Sequence, residues 1–499
     1  MSATQTTEEL EILNPQRWGL PSSAVEKLGQ ELRTIWERFR ACFQTQTRDG
    51  SEYAWFYLRG LLTMDTGRNY ANIARRVIDP TDDGQNLQQF MSDSPWLGEK
   101  IFQQIQTEIQ ERQELQDGIL TLDESGDERA GRQSAGAARQ YLGRLGKVEM
   151  GQVGVALGYY AADIWTMVDA ELYLPESWFE PDVATLCRQL HIPEKRDFLT
   201  KQQLGLQLIS RAKTNGLPFS VVSCDCLYGR DSQFRADVGS LGVTYMADIP
   251  IDTRVYLSPP VVGIPDKISG TRGRPPSRRT ILSGEDPIEV RSLVAQKKIE
   301  WQTVNIRQTE RGELCYRCAA LRVWTLTSDV HLREEWLFIR EEHDGTFTFS
   351  LSNAAAATSI KQLALWRSLR YFAERTFQDA KSEAGWDELV ARKYRAWMHH
   401  TALDALALWF VAQTKLDWRA AYPRDPALIE QLEVLVLPAL SMANVRELLK
   451  AVLPLKQLSP QEATRLVVQH LVNRSRSTGS RLKQSVGVQR SCASGGRSP

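Results

Sequence analysis

The feature that most constrains the fold is a change of hydrophobic period after residue 119. Segments with the two-residue period of strands, such as 152–161 and 164–174, are followed by a segment with helical spacing at 200–216. A short apolar strand (LPFSVVSCD), another helix and another strand (VTYMADIP) complete the series. The order strand, strand, strand, helix, strand, helix, strand predicts an α/β fold built on a mixed sheet.

Carboxylates stand at the ends of the first and fourth predicted strands. Asp123 is followed by a turn at Gly126, and Asp225 follows a buried strand. In such sheets functional groups gather at strand ends, and two close carboxylates repel unless a cation lies between them. Hard oxygen ligands suit Mg²⁺. A thiolate site with Cys224 and Cys226 is an alternative, although in a strand both would face away from Asp225; a purely structural role is another.

A third acid lies on a predicted helix after residue 355 that ends at Gly385. One acid, Glu374, is framed by three basic residues on a face distinct from the apolar one. The bases are Arg367, Arg370 and Lys381. The face is either a functional site or a solvated surface with pairs four residues apart.

These blocks resemble the DDE transposases of bacterial insertion sequences, in the branch whose signature is Y-x2-R-x3-E-x6-K. Asp123 with the following Ser-Gly, Asp225 in CDCLYGRD, and RYFAERTFQDAKSEAG around Glu374 occur in the family's order. Arg370 and Lys381 occupy the signature's basic positions. Arg367 stands where the signature has Tyr. The resemblance covers about residues 50–410.

The resemblance implies an RNase H-like catalytic domain with a β-rich insertion, and a transposase that cuts element ends and joins them to target DNA. It implies that Asp123, Asp225 and Glu374 hold two Mg²⁺ or Mn²⁺ ions. The residues expected to contact DNA are Arg370, Lys381, Arg367, Arg272, Arg274 and Tyr228. The expected partners are double-stranded DNA, as terminal inverted repeats and target, and a second copy in a synaptic dimer. A metal-dependent nuclease on the same fold and a catalytically silent DNA-binding regulator remain alternatives.

Changes of pattern along the chain predict its domains. The insertion begins with SGTRGRPPSRR, which is either a minor-groove arm or a plain basic loop. The expected parts are a helical N-terminal DNA-end-binding domain (1–118), a catalytic domain (119–249 and 351–410), the insertion (250–350), a helical C-terminal region (411–473) and a disordered basic tail (474–499).

Composition adds the expected location. The 61 basic and 61 acidic residues cancel, and the seven cysteines have no framework spacing, which suits reduced thiols. No apolar run approaches the length of a membrane span. The sequence therefore predicts a cytoplasmic, nucleoid-associated protein without a membrane segment.

Overall fold

The computed structural model describes residues 11–266, 274, 276–295, 299–310, 312–457, 459–469, 471–476 and 478. It confirms the α/β class with a mixed sheet. None of the helices in these residues is long and apolar enough to cross a membrane.

The N-terminal part of the described chain is helical. Its first long helix, α1, buries Leu28, Leu32, Ile35 and Phe39, whose spacing of three to four residues places them on one face. The helices are α1 (Ser22–Phe39), α2 (Ser51–Thr63), α3 (Tyr70–Ile73), α4 (Gln85–Ser92) and α5 (Glu99–Gln110).

A ten-stranded sheet in the described part of the chain forms the centre of the molecule. Its strands are β1 (Gly118–Glu128), β2 (Ala138–Leu142), β3 (Lys147–Ala161), β4 (Ile164–Leu172), β5 (Phe219–Cys224), β6 (Thr244–Ile249), β11 (Gln302–Thr309), β12 (Gly312–Leu326), β13 (Leu332–Glu341) and β14 (Phe347–Ser352). Their order is β11-β12-β13-β14-β6-β5-β1-β3-β2, and β4 also pairs with β3. Strands β1, β5 and β6 are parallel neighbours, whereas β1, β3 and β4 form an antiparallel meander.

Strand β1 is longer than the sequence pattern indicates. The turn expected at Gly126 is wrong, because β3 remains paired with β1 as far as the Glu128–Gly151 pair. The pairing with β5, in contrast, ends at Leu122. Asp123 therefore lies inside a strand, but at the point where β1 leaves its parallel neighbour. Strand β2, which pairs with β3, was not expected.

Helices connect the parallel strands. They are α6 (Ala184–Gln189) and α7 (Lys201–Thr214) before β5, and α8 (Cys226–Gly229) and α9 (Ser232–Ser240) before β6. Thr200 caps α7 and forms a capping box with Gln203, as its position before the helical segment predicted. The single turn α8 begins immediately after Asp225, whose carboxylate accepts the backbone N–H of Leu227 at 2.9 Å.

The insertion extends the catalytic sheet. Strands β11 to β13 continue it through β14, which pairs with β6. Smaller pieces lie before them: β7 (Arg254–Val255) pairs with β10 (Ile288–Glu289), and β8 (Val261–Gly263) pairs with β9 (Thr280–Ser283), with α10 at Val290–Leu293. The insertion thus has no large sheet of its own among the described residues.

The helix expected after residue 355 is two helices. α11 (Ile360–Leu369) and α12 (Tyr371–Asp379) meet at Arg370, and a π-helical turn (Ala380–Ala384) ends at Gly385, which has a φ of +86°. The long helix α13 (Tyr394–Ala421) follows, then α14 (Ala427–Gln431) and α15 (Met442–Val452). A boundary at residue 410 would cut α13. Residues 471–476 are helical, so the expected disordered tail does not begin at 474; of its later residues, only 478 lies within the described part.

The two faces of the sheet belong to different cores. Leu120 and Leu122 join the core shared with the N-terminal helices, α7 and α13. Ile119 joins a second core with Val221 of β5 and Met246 of β6, under α11 and α12. Because side chains alternate along a strand, odd-numbered β1 residues, including Asp123, lie on the α11–α12 face.

Candidate active site

Three aspartates form a row across the three parallel strands. Leu122 pairs with Cys224, and Cys224 pairs with Ala247. An aspartate follows each of these three paired residues: Asp123, Asp225 and Asp248 respectively. The alternation that places Asp123 on the α11–α12 face places the other two there as well. Neighbouring strands lie about 4.8 Å apart, which sets the spacing of the row. Asp248 was not singled out from the sequence, although VTYMADIP has the same form as LPFSVVSCD: an apolar run that ends at an aspartate.

The first two aspartates carry mutually unfavourable charges. Burial, followed by the charge of Asp225, raises the pKa of Asp123 to about 7. Burial also raises the pKa of Asp225, against the favourable charge of Arg370. One oxygen of Asp123 accepts the backbone N–H of Glu124 at 2.8 Å, and one oxygen of Asp225 accepts that of Leu227. In each carboxylate, therefore, a backbone hydrogen bond holds one oxygen, and the second oxygen can bind a ligand.

Arg370 lies between the acids. Its guanidinium is 3.7 Å from Asp123, 3.2 Å from Asp248 and 3.6 Å from Glu374, measured between the nearest nitrogen and oxygen atoms. Asp123 and Glu374 thus contact the same cationic group. The Glu374 side chain is 63% exposed, whereas those of Asp123 and Arg370 are 17% and 19% exposed, so Glu374 is the member of the cluster with room to move.

The three predicted acids do not form a closed metal cluster in this conformation. Within the part of the chain that the structure describes, no three His, Cys, Asp or Glu side chains are close enough to hold an ion together. The donor chemistry nevertheless fits a hard divalent cation: Asp123 and Asp225 are oxygen ligands on adjacent strands whose charges repel, and the exposed Glu374 contacts the same guanidinium as Asp123. Arg370 supplies the positive charge that the acids share.

Asp248 is enclosed by basic and hydroxyl groups. Its Oδ1 accepts the Ser350 hydroxyl at 2.6 Å and lies 2.6 Å from Nε of Arg367, while Oδ2 faces Arg370. Arg367 is itself buried. The basic residue that replaces the signature tyrosine is therefore a counter-ion for Asp248, and in this conformation it does not reach the surface where DNA would lie.

The remaining predicted residues occupy varied positions. Lys381 makes an ion pair with Asp127 at 2.8 Å, with both side chains about 15% exposed. Tyr228 is fully buried, so a contact with DNA is not available to it here. Its hydroxyl has no hydrogen-bond partner among the described residues. Burial, followed by the charges of Glu124, Asp123 and Asp225, raises the pKa of Tyr228 well above its ordinary value.

Arg274 is exposed in the segment that connects β8 to β9, and Arg272 lies outside the described residues. The β8–β9 ribbon exposes Val261, Ile281 and Leu282. A two-stranded ribbon is at best marginally stable alone in water, and all four residues of β9 are exposed, so this ribbon has little packing support among the described residues.

Comparison with known proteins decides the family. A family model described as DDE superfamily endonuclease matches residues 38–313, more than half of the chain. The protein belongs to this family. The matched range contains all three aspartates of the row and ends before Glu374.

A relative supports the insertion-sequence branch of the DDE endonucleases. The chain is 28% identical over 180 residues to a probable transposase for insertion sequence element IS701 from Microchaete diplosiphon. The alignment covers 36% of this chain and 44% of the relative. Over this part of its length the chain is therefore similar to an insertion-sequence transposase, and its mixed sheet is consistent with the expected RNase H-like fold.

Proposed function

We propose that this DDE endonuclease is a transposase that cuts the ends of an insertion sequence and joins the freed 3′ ends to target DNA. The observation that carries the proposal is the juxtaposition of Asp123 and Asp225 on adjacent parallel strands, with Glu374 held at the same guanidinium as Asp123. The family match makes phosphodiester chemistry the reaction for which such a cluster is suited.

Asp123, Asp225 and Glu374 would hold two Mg²⁺ or Mn²⁺ ions. Bound there, the ions would neutralise charge that develops on the scissile phosphate and would activate first water and then the 3′-OH. A backbone N–H of β1 donates to Asp123 and a backbone N–H of α8 donates to Asp225, so these two ligands would be preorganised. Glu374 would complete the set by turning its exposed side chain away from Arg370.

Arg370 and Lys381 would hold phosphates of the scissile strand. Both are now paired with carboxylates, at 3.2–3.7 Å and 2.8 Å respectively, so DNA must compete with these pairs. Arg370 becomes available when cations take over the neutralisation of Asp123 and Glu374. Phosphate binding would then depend on metal binding, and cleavage would be disfavoured when either the metal ions or the DNA is absent.

The exposed ribbon would supply a further DNA contact. By sequence, Arg272 and Arg274 belong to the segment that connects its two strands, and a two-stranded ribbon fits a DNA groove. The N-terminal helices would bind the element's ends, and pairing of two ends would require a dimer in the working complex.

The experiment uses the full chain with Mg²⁺ and a DNA fragment that carries the inverted repeats flanking its gene. Joined product supports the transposase. Cut product alone would make the protein a nuclease, and a mobility shift without cutting would make it a regulator. Asp123→Asn and Glu374→Gln should bind the fragment but lose cleavage by at least about 10³-fold, whereas Asp252→Asn, at an exposed position, should cleave normally.

A further inference from the structure

Asp248 has no place in the three-acid scheme, yet it is the most enclosed member of the aspartate row. Its side chain is 9% exposed, and both oxygens are engaged: Oδ1 by Ser350 and Arg367, Oδ2 by Arg370. A carboxylate that is hydrogen-bonded to a hydroxyl and ion-paired with two guanidinium groups is a poor free ligand for an ion. Its position is instead suited to fixing where the Arg370 guanidinium lies.

The backbone around Asp248 is fixed as well. A Cβ added to Gly229, in the turn that follows Asp225, would come within 1.9 Å of the Asp248 carbonyl oxygen. The two chain segments that carry Asp225 and Asp248 are therefore in direct backbone contact. Ser350 lies on β14 in register with Asp248, which fixes the aspartate from the other side. Asp248 is thus a rigid point to which a mobile arginine can be attached.

We propose that Asp248 is a positioning residue that holds Arg370 beside Asp123 and Glu374 and limits how fully its guanidinium can neutralise them, so that a divalent cation can displace it. This inference rests on the proposed function, because it assumes that these acids receive the ion. Arg370 makes three carboxylate contacts, and the contact with Asp248 at 3.2 Å is the shortest of them. If that contact is lost, the guanidinium moves towards the two remaining acids and competes more strongly with the ion.

Two single variants are therefore expected to change metal affinity in opposite directions. Asp248→Asn removes the negative charge that restrains Arg370, and Mn²⁺ should bind about 10- to 100-fold more weakly, the usual range for groups that orient ligands. Arg370→Gln removes the competing cation, and Mn²⁺ should bind about tenfold more tightly. The double variant should bind like Arg370→Gln, because Asp248 acts through Arg370.

The measurement is Mn²⁺ binding to the full chain without DNA, by calorimetry and by the loss of the free-ion electron paramagnetic resonance signal. Asp169→Asn is the control: like Asp248, Asp169 is a buried aspartate paired with an arginine, here Arg211, which donates hydrogen bonds to it at 2.6 and 2.7 Å, but on the α7 face of the sheet. Its Mn²⁺ affinity should equal that of the wild type. Ser350→Ala removes one hydrogen bond to Asp248 and should weaken Mn²⁺ binding a few-fold. If Asp248→Asn does not fold, Ser350→Ala is used in its place.

Equal Mn²⁺ affinities in the wild type, Asp248→Asn and Ser350→Ala would overturn the inference and leave the proposed function standing. Weaker binding by Asp248→Asn in the Arg370→Gln background would also overturn it, because Asp248 would then act on the ion directly. A wild type that binds no Mn²⁺ would contradict the metal site of the proposed function as well. The cleavage assay distinguishes failure of this inference from failure of the proposed function, because it measures the reaction and not the contact between Asp248 and Arg370.

Discussion

Replacing Asp123 by Asn should abolish cleavage and, in metal-free protein, stabilise the fold. The Asp123 carboxyl has a pKa of about 7 in the folded protein and an ordinary value of 3.8. Between pH 3.8 and about pH 7, Asp123 keeps its proton in the folded protein and loses it in the unfolded chain. The free energy of unfolding therefore falls as the pH rises, by about 1.4 kcal/mol per pH unit. Over roughly three pH units the cost reaches about 4 kcal/mol at pH 8. Asn carries no charge and avoids this cost, while its oxygen can still accept the N–H of Glu124.

The assay is urea unfolding in EDTA at pH 4 and pH 8. The pKa of about 7 already includes the favourable charge of Arg370, so Asp123→Asn should exceed the wild type by about 4 kcal/mol at pH 8 and by much less at pH 4. Added Mn²⁺ should reverse the order, because only the wild type keeps the ligand. Asp252→Asn should follow the wild type at both pH values. A variant less stable than the wild type at pH 8 in EDTA would refute the reasoning.

Three further predictions concern the packing around the site. Asp404→Asn should remove a loss of stability with rising pH of about 1.4 kcal/mol per pH unit that begins above the ordinary pKa of 3.8, because Asp404 is fully buried, has no hydrogen-bond partner among the described residues and has a pKa raised well above that value by burial; equal slopes of the variant and the wild type in urea unfolding would contradict this. Lys381→Met and Asp127→Asn should each cost about 1–3 kcal/mol, and the double variant should cost little more than either, whereas additive losses would exclude a coupled pair. Gly118→Ala should lower the melting temperature, with a loss of about 1–3 kcal/mol, because the new Cβ would lie 2.0 Å from the Tyr159 ring; an unchanged melting temperature would show that the ring moves aside.

Patterns within a single strand or helix were sufficient to predict the order of the central elements. The alternation in 152–161 and 164–174 predicted an antiparallel meander, and β3 and β4 form it. The aspartate that follows a buried apolar run predicted that Asp225 lies at a strand end, where it caps α8. These features depend on residues close in sequence, and local propensity and burial agree there.

The contacts of the basic residues could not be predicted in the same way. Helical geometry predicts that Arg367 and Arg370 lie near Glu374. It cannot predict their contacts with Asp248, which is more than a hundred residues away along the chain. Whether an arginine faces solvent or a buried carboxylate depends on strand pairing, here that of β6 with β14. The same dependence on partners explains why β1 continues past Gly126: β3 supplies hydrogen bonds that the turn-like sequence does not reveal.

The division of the acids between strands and helix has a mechanistic consequence. Asp123 and Asp225 are held by adjacent strands, so their distance is nearly fixed, and their repulsion is part of the folded state. Glu374 lies on α12, directly after the helix break at Arg370, and its exposed side chain can approach or leave the pair without unfolding any strand. In the proposed mechanism, assembly of the site would therefore be a rearrangement of the Glu374 side chain driven by the incoming positive charge. Glu374 would stay apart from the aspartate pair until an ion arrives, because the energy that closes the cluster would come from the ion and not from the fold.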